Sequence, residues 1–175
     1  MSTDTPVTVP SSRPAIVALR AVATWWAIAG GLVFSGIVAM SVVSIVGRKL
    51  FAAPVVGDME LLMMLTAVGS AAFLPLCELE DHHIKVDALT TWMSERSRAM
   101  LDLVAHGLLA VASAVITWRT QLYVQEVRES MELSPILLVP MWIPVLLLVP
   151  SFLLLTVAAF YRVALAFRAA RGVRP

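Results

Sequence analysis

The side chains best able to do chemistry lie together in residues 78–89, which read ELEDHHIKVDAL. Seven of these twelve residues carry a charge or an imidazole. Carboxylates and imidazoles are the groups that bind metal ions and transfer protons. The stretch also follows a long apolar run and precedes an amphipathic one. It can therefore equally be the turn at which a membrane-spanning helix returns to water.

A metal site in this stretch would draw on Glu78, Asp81, His82 and His83. A zinc site needs three or four ligands with suitable spacing. His82 and His83 are adjacent, so on a helix or strand they point to different faces. The spacing favours a solvated turn in which one histidine anchors a neighbouring segment, and we expect no metal site, no catalytic residue and no enzyme activity.

Asp102 and His106 lie further along the chain, four apart on one predicted helix face, so they can pair. An ionisable pair inside a span is by default a candidate functional site. The alternative, which we favour, puts Asp102 at the cytoplasmic interface and gives His106 a bond to a neighbouring helix.

Haem ligation by His83 and His106 is a further possibility in a helical membrane bundle. The predicted depths disagree, however, because His83 lies past one span and His106 lies about 11 Å inside the next. Met63 and Met64 fit helix packing better than a copper site. We therefore expect no cofactor.

The composition defines the class of protein. Of 175 residues, 59% are hydrophobic and 14% charged, and the mean hydropathy is +0.87. Soluble domains are about half apolar and a quarter charged, so we predict an integral membrane protein. The net charge of +1 argues against a nucleic-acid partner, and the single cysteine, Cys77, excludes an intramolecular disulfide.

Four charge-poor runs predict an all-α membrane domain at 20–165, flanked by a disordered tail at 1–19 and a basic cytoplasmic tail at 166–175. The expected spans cover residues 21–47, 60–78, 99–120 and 139–162. The last begins near Pro140, since proline is tolerated in a first helical turn, and residues 133–139 should lie at the surface.

The arginine and lysine distribution predicts the orientation. Nine of these residues fall in the two tails and the middle loop, against four in the other two loops. The positive-inside rule then puts both termini and the His82–His83 loop in the cytoplasm. Arg48 and Glu60 flank the first outer loop, where they either pair across spans one and two or mark the membrane edge.

The middle loop predicts an interfacial amphipathic helix at 87–98 on the cytoplasmic leaflet. Apolar residues share one face of this segment: Val86, Leu89, Met93 and Met100. Asp87 is the expected N-cap, because its carboxylate can accept backbone N–H bonds of the first turn.

The order of these features resembles the small, DctQ-type membrane subunit of tripartite ATP-independent periplasmic (TRAP) transporters. The family pattern begins with a basic residue after span one and a proline in the first outer loop. An acidic residue then starts span two, a glycine lies within span two, and a His-hydrophobic-x-Val-Asp motif follows. The matching residues here are Arg48, Pro54, Glu60, Gly69 and His83–Asp87, followed by Pro140, Trp142 and Pro144 in span four. Gly57 and Asp58 stand where many members have a tryptophan before the acidic pair.

The resemblance implies a subunit of the bacterial inner membrane that acts through partners. A large permease subunit would carry the substrate and sodium sites, and a periplasmic binding protein would deliver an organic anion, often a carboxylate. The small subunit would contact membrane lipid and hold the large one in place. Structural or interface roles are then expected for Arg48, Asp58, Glu60, Gly69, His83, Asp87, Pro140 and Trp142. A haem-binding redox anchor and a free-standing small exporter are the alternatives.

Overall fold

A computed structural model describes residues 14–52, 55–80 and 95–170, with side chains at 16–52, 55–80 and 100–167. These residues form four helices: α1 at Pro14–Phe51, α2 at Asp58–Leu79, α3 at Glu95–Glu129 and α4 at Trp142–Ala170. Each contains a segment long and apolar enough to cross a membrane. The expected all-α fold with four candidate spans is confirmed for this part of the chain.

The helices differ from the apolar runs at their ends. α3 continues past Arg119 to Glu129, because the glutamine, glutamate, arginine and leucine residues there favour helix although they lower hydropathy. α4 begins at Trp142, two residues after Pro140. Of the interfacial helix expected at 87–98, residues 87–94 lie outside the described residues, and residues 95–98 form the start of α3.

The four helices pack in the spatial order α1, α2, α4, α3. The broad contacts are those of α1 with α2, α2 with α4 and α4 with α3, while α1 touches α4 only slightly. α2 and α4 therefore occupy the middle of the bundle. α1 and α3 lie at its flanks, and each leaves a long side uncovered.

The α1–α2 contact depends on glycine. A Cβ atom at Gly30 would lie 2.6 Å from Ala72 Cβ and 3.1 Å from the Gly69 carbonyl oxygen. One at Gly69 would lie 2.8 Å from the ring of Phe34. Small residues let membrane helices approach until their backbones nearly touch, so Gly69 belongs to the closest contact between these two helices.

Polar side chains within the bundle fix the relative position of neighbouring helices. Trp26 Nε1 on α1 donates to Ser151 Oγ on α4 at 2.8 Å. Thr117 and Thr156 hydroxyls join α3 to α4 at 3.1 Å. Such bonds between spans contribute about 0.6 kcal/mol each, so their main effect is to specify the register of the helices.

Candidate functional site

Polar residues concentrate at the two ends of the bundle. We call the region around the start of α2 the Glu60 end, and the region around its last turn the Glu78 end. The two carboxylates are 18 residues apart on α2, or about 27 Å along its axis at 1.5 Å per residue. This separation is close to the thickness of the hydrocarbon core.

At the Glu60 end, a hydrogen-bonded network joins α1 to α2. The hydroxyl of Ser44, which is buried, donates to Asp58 Oδ2 at 2.5 Å, and the Arg48 guanidinium lies 3.2 Å from the same oxygen. The backbone N–H of Met59 donates to Asp58 Oδ1 at 2.8 Å. Asp58 thus ties the last turns of α1 to the first turn of α2.

The Arg48–Glu60 pair considered from the sequence is not formed, because Arg48 pairs with Asp58. Glu60 follows Asp58 by two residues, which rotates its side chain by about 200° around α2. The Glu60 carboxylate instead accepts the backbone N–H of Leu137 at 2.9 Å. Arg48 therefore joins α2 to α1, whereas Glu60 joins it to the α3–α4 loop, residues 130–141.

Gly57 provides a second contact between α2 and this loop. Its φ is +75°, a conformation that glycine adopts without steric cost. A Cβ atom at Gly57 would lie 2.5 Å from Leu137 Cγ. The Leu137 side chain thus fills the space that a larger residue at position 57 would need.

Pro140 and Trp142 lie where the α3–α4 loop enters α4. Pro140 forms an isolated bridge with Leu133, and its carbonyl accepts the N–H of Ile143 at 3.1 Å. The Arg128 guanidinium lies 5.8 Å from the ring centre of Trp142, a cation–π arrangement between the end of α3 and the start of α4.

At the Glu78 end, three helices meet around one residue. Glu78 on α2 is fully buried, and its Oε1 lies 2.8 Å from His106 Nδ1 on α3. The buried Arg162 on α4 donates from Nε to the Glu78 carbonyl oxygen at 3.0 Å. The expectation that His106 bonds to a neighbouring helix is confirmed, and Glu78 is its partner.

The remaining contacts at this end hold α1. Arg20 and the Glu80 carboxylate form a partly exposed pair at 2.8 Å. Ala23, Leu79 and Ala158 pack beside it as a small apolar cluster contributed by α1, α2 and α4.

His83 and Asp87 lie outside the described residues, so their expected roles remain predictions. Within the described part of the chain, no group of three or more histidine, cysteine, aspartate or glutamate residues is placed to hold a metal ion. Of the four residues considered as ligands, only Glu78 is described, and it binds His106.

The uncovered side of α3 carries both polar and apolar residues. Arg119 and Glu126 are exposed and border a shallow groove with Thr120, Leu122 and Tyr123. Leu108, Val111 and Val115 continue the same side toward the Glu78 end, each at least half exposed. α3 thus presents an apolar half and a half that bears charge.

Comparison with known families places this geometry in context. Residues 37–169 match the family "Tripartite ATP-independent periplasmic transporters, DctQ component". The chain belongs to the DctQ family. Neither a curated protein nor a solved structure matches it. DctQ proteins are membrane components of TRAP transporters, and the match includes all of α2 and α3, most of α4 and the last turns of α1.

The sequence alone does not point to several of the residues that form the Glu60 end and the Glu78 end. Ser44 and Arg48 are four apart on α1, a spacing that places both beside α2, but hydropathy alone does not rank one serine above another. Glu78 was read only as a helix end or a loose metal ligand. Its pairing with His106 and Arg162 depends on how three helices are aligned, which no single helix encodes.

Proposed function

We propose that this chain is the small scaffold subunit of a secondary-active TRAP transporter. In this proposal a large permease subunit carries out sodium-coupled uptake of an organic anion, a carboxylate, after a periplasmic binding protein delivers it. The chain holds the permease in the inner membrane through its helical surface. Membership of the DctQ family is the observation that supports this role most strongly.

The uncovered side of α3 is the proposed contact with the large subunit. Arg119 lies about 20 Å from His106 along α3, whereas the two polar ends are about 27 Å apart along α2. Arg119 is therefore about 7 Å short of the Glu60 end, where its charge is better placed against protein or at the membrane surface than among lipid tails. Because Arg119 points away from the bundle, a second protein covering this side supplies that environment.

The flank formed by α1 provides the contrast. From residue 38 to residue 46 its exposed side chains are aliphatic, as at Val38, Val42, Val43 and Ile45, and the exposed charges Arg48 and Lys49 come only in its last turn. A purely aliphatic surface is compatible with lipid tails and gives no specific contact to a polar partner. We therefore assign α1 to the lipid and α3 to the permease.

Site-specific cross-linking tests this assignment. A photo-reactive amino acid in place of Tyr123 should cross-link to the large subunit in cells that express the whole transporter. The same photo-reactive amino acid in place of Val43 should not. Arg119→Glu should lower the amount of large subunit that co-purifies, and Lys49→Glu, an exposed charge reversal on α1, should not. Cross-links from Val43 rather than Tyr123 would reverse the assignment.

The proposed orientation places both termini and the Glu78 end in the cytoplasm, from the distribution of arginine and lysine. A reporter that is active only in the cytoplasm should give signal when fused after Pro175. Signal from a reporter that is active only in the periplasm would invert the proposed topology.

Two simple measurements separate the alternatives. A haem-binding redox anchor would show a Soret absorbance band in the purified protein. A free-standing exporter would transport without a large multi-span partner.

A further inference from the structure

The α3–α4 loop carries an unusual number of exposed aliphatic side chains. Met131 is 82% exposed, Leu138 65%, Ile136 56% and Leu133 53%. The sequence from residue 133 to residue 141, LSPILLVPM, contains no charged residue. A loop in water would normally present polar side chains.

The second half of the loop pairs its backbone donors within the protein. The loop's internal donors are the N–H groups of Ser134, Leu137, Leu138, Val139 and Met141. Their acceptors are the Val139 carbonyl, the Glu60 carboxylate, the Ser134 carbonyl, the Ser134 hydroxyl and the Glu132 carbonyl, at 2.9–3.2 Å. Pro135 and Pro140 have no N–H. The N–H groups of Met131, Glu132, Leu133 and Ile136 have no acceptor among the described residues, so the continuously paired stretch runs from Leu137 to Met141. Non-helical backbone can enter a water-poor environment only when its polar groups are paired in this way.

The two sides of the loop are clearly divided. Ser134 is buried, and Leu137 lies against Gly57 while its N–H binds Glu60. The four exposed aliphatic residues therefore point away from the bundle. The inward residues fix the shape of the loop, and the outward ones form an apolar surface.

The position of the loop matches the membrane–water boundary. It joins the end of α3 to the start of α4, where Arg128 lies over the Trp142 ring. Tryptophan and arginine are typical of that boundary. The exposed apolar surface also continues along the chain into Ile143, Leu146 and Leu147 of α4.

We infer that the α3–α4 loop inserts into the lipid at the Glu60 end, with Met131, Leu133, Ile136 and Leu138 in the acyl-chain boundary. Protein contacts between membrane helices use small and polar residues. The outward side chains from Leu133 to Leu138 are apolar, and the exposed Glu132 precedes them in the chain. This surface thus differs from the uncovered side of α3, where charges favour a protein partner. The Glu60 carboxylate satisfies the Leu137 N–H of the loop from within the bundle.

Depth-dependent fluorescence quenching tests the inference. In a Cys77→Ser background, an environment-sensitive dye is attached at Ile136→Cys or Leu138→Cys, positions where the native side chain is exposed and its replacement removes little packing. Glu129→Cys, on the last turn of α3, is the matched polar control. The protein is reconstituted in phosphatidylcholine and phosphatidylglycerol vesicles, both alone and together with its large subunit.

Brominated acyl chains should quench the dye at positions 136 and 138, in both preparations, more strongly than at position 129. Aqueous iodide should quench only at position 129. Iodide quenching at all three positions would overturn the inference, because the loop would then lie in water. Lipid quenching that disappears when the large subunit is present would also overturn it, since a protein would then cover the loop.

Discussion

Replacing Gly30 by alanine tests the close approach of α1 and α2. The added Cβ would lie 2.6 Å from Ala72 Cβ and 3.1 Å from the Gly69 carbonyl oxygen. Both atoms belong to or adjoin the backbone, so neither can rotate away. Carbon atoms pack best at about 3.5–4.0 Å, and the helices must therefore separate locally by about 1 Å.

The expected cost follows from two opposing effects. Overpacking a close contact costs about 1–3 kcal/mol, whereas replacing a glycine within a helix by alanine contributes about 0.5–1 kcal/mol of stability. Gly36→Ala on the same helix isolates the second effect, because no atom lies within 4 Å of its added Cβ. Gly30→Ala should thus be less stable than Gly36→Ala by about 1–3 kcal/mol.

The assay is the free energy of unfolding in mixed micelles, measured by titration with a denaturing detergent and followed by tryptophan fluorescence. Gly36→Ala should equal or exceed the wild type, and Gly30→Ala should fall below it. If both variants are equally stable, α1 and α2 do not meet at Gly30 and Gly69, and the packing described above is wrong.

Two further predictions use matched pairs of variants in the same assay. Ala52→Gly should raise the free energy of unfolding by up to about 1 kcal/mol, because Ala52 has a φ of +51°. Ala39→Gly within α1 should lower it by about 0.5–1 kcal/mol. A loss of stability at both positions would contradict the strain at residue 52. Glu78→Ala should cost about 1–3 kcal/mol, since it leaves the largely buried His106 ring nitrogen without this hydrogen-bond partner. Glu80→Ala should cost at most about 1 kcal/mol because its pair is partly exposed. Equal losses for the two glutamates would mean that the Glu78 end is open to water.

The sequence predicted the four helices because each contains an apolar run long enough to cross a membrane. The sequence is less informative about where α3 ends. At Arg119 hydropathy falls but helix propensity does not, so α3 continues to Glu129. In the apolar α3–α4 loop, by contrast, the prolines predict a helix start near Pro140, and α4 begins at Trp142.

The end clusters could be predicted only in part. Arg48, Asp58 and Glu60 stand out in the family pattern, but Asp58 also binds Ser44, and Glu60 binds the Leu137 N–H. Those contacts depend on how the helices are rotated and on the shape of a loop. Neither property is encoded in the hydropathy of a single run, and a backbone donor leaves no mark in a sequence.

The central claim is that the chain acts as a scaffold for a large permease subunit. The most direct measurement compares the yield of membrane-embedded large subunit, and sodium-dependent uptake of a carboxylate by vesicles, with and without this chain co-expressed. The account predicts that both fall together when the chain is missing and that the large subunit co-purifies with it when the chain is present. Normal yield and uptake by the large subunit alone would contradict the claim.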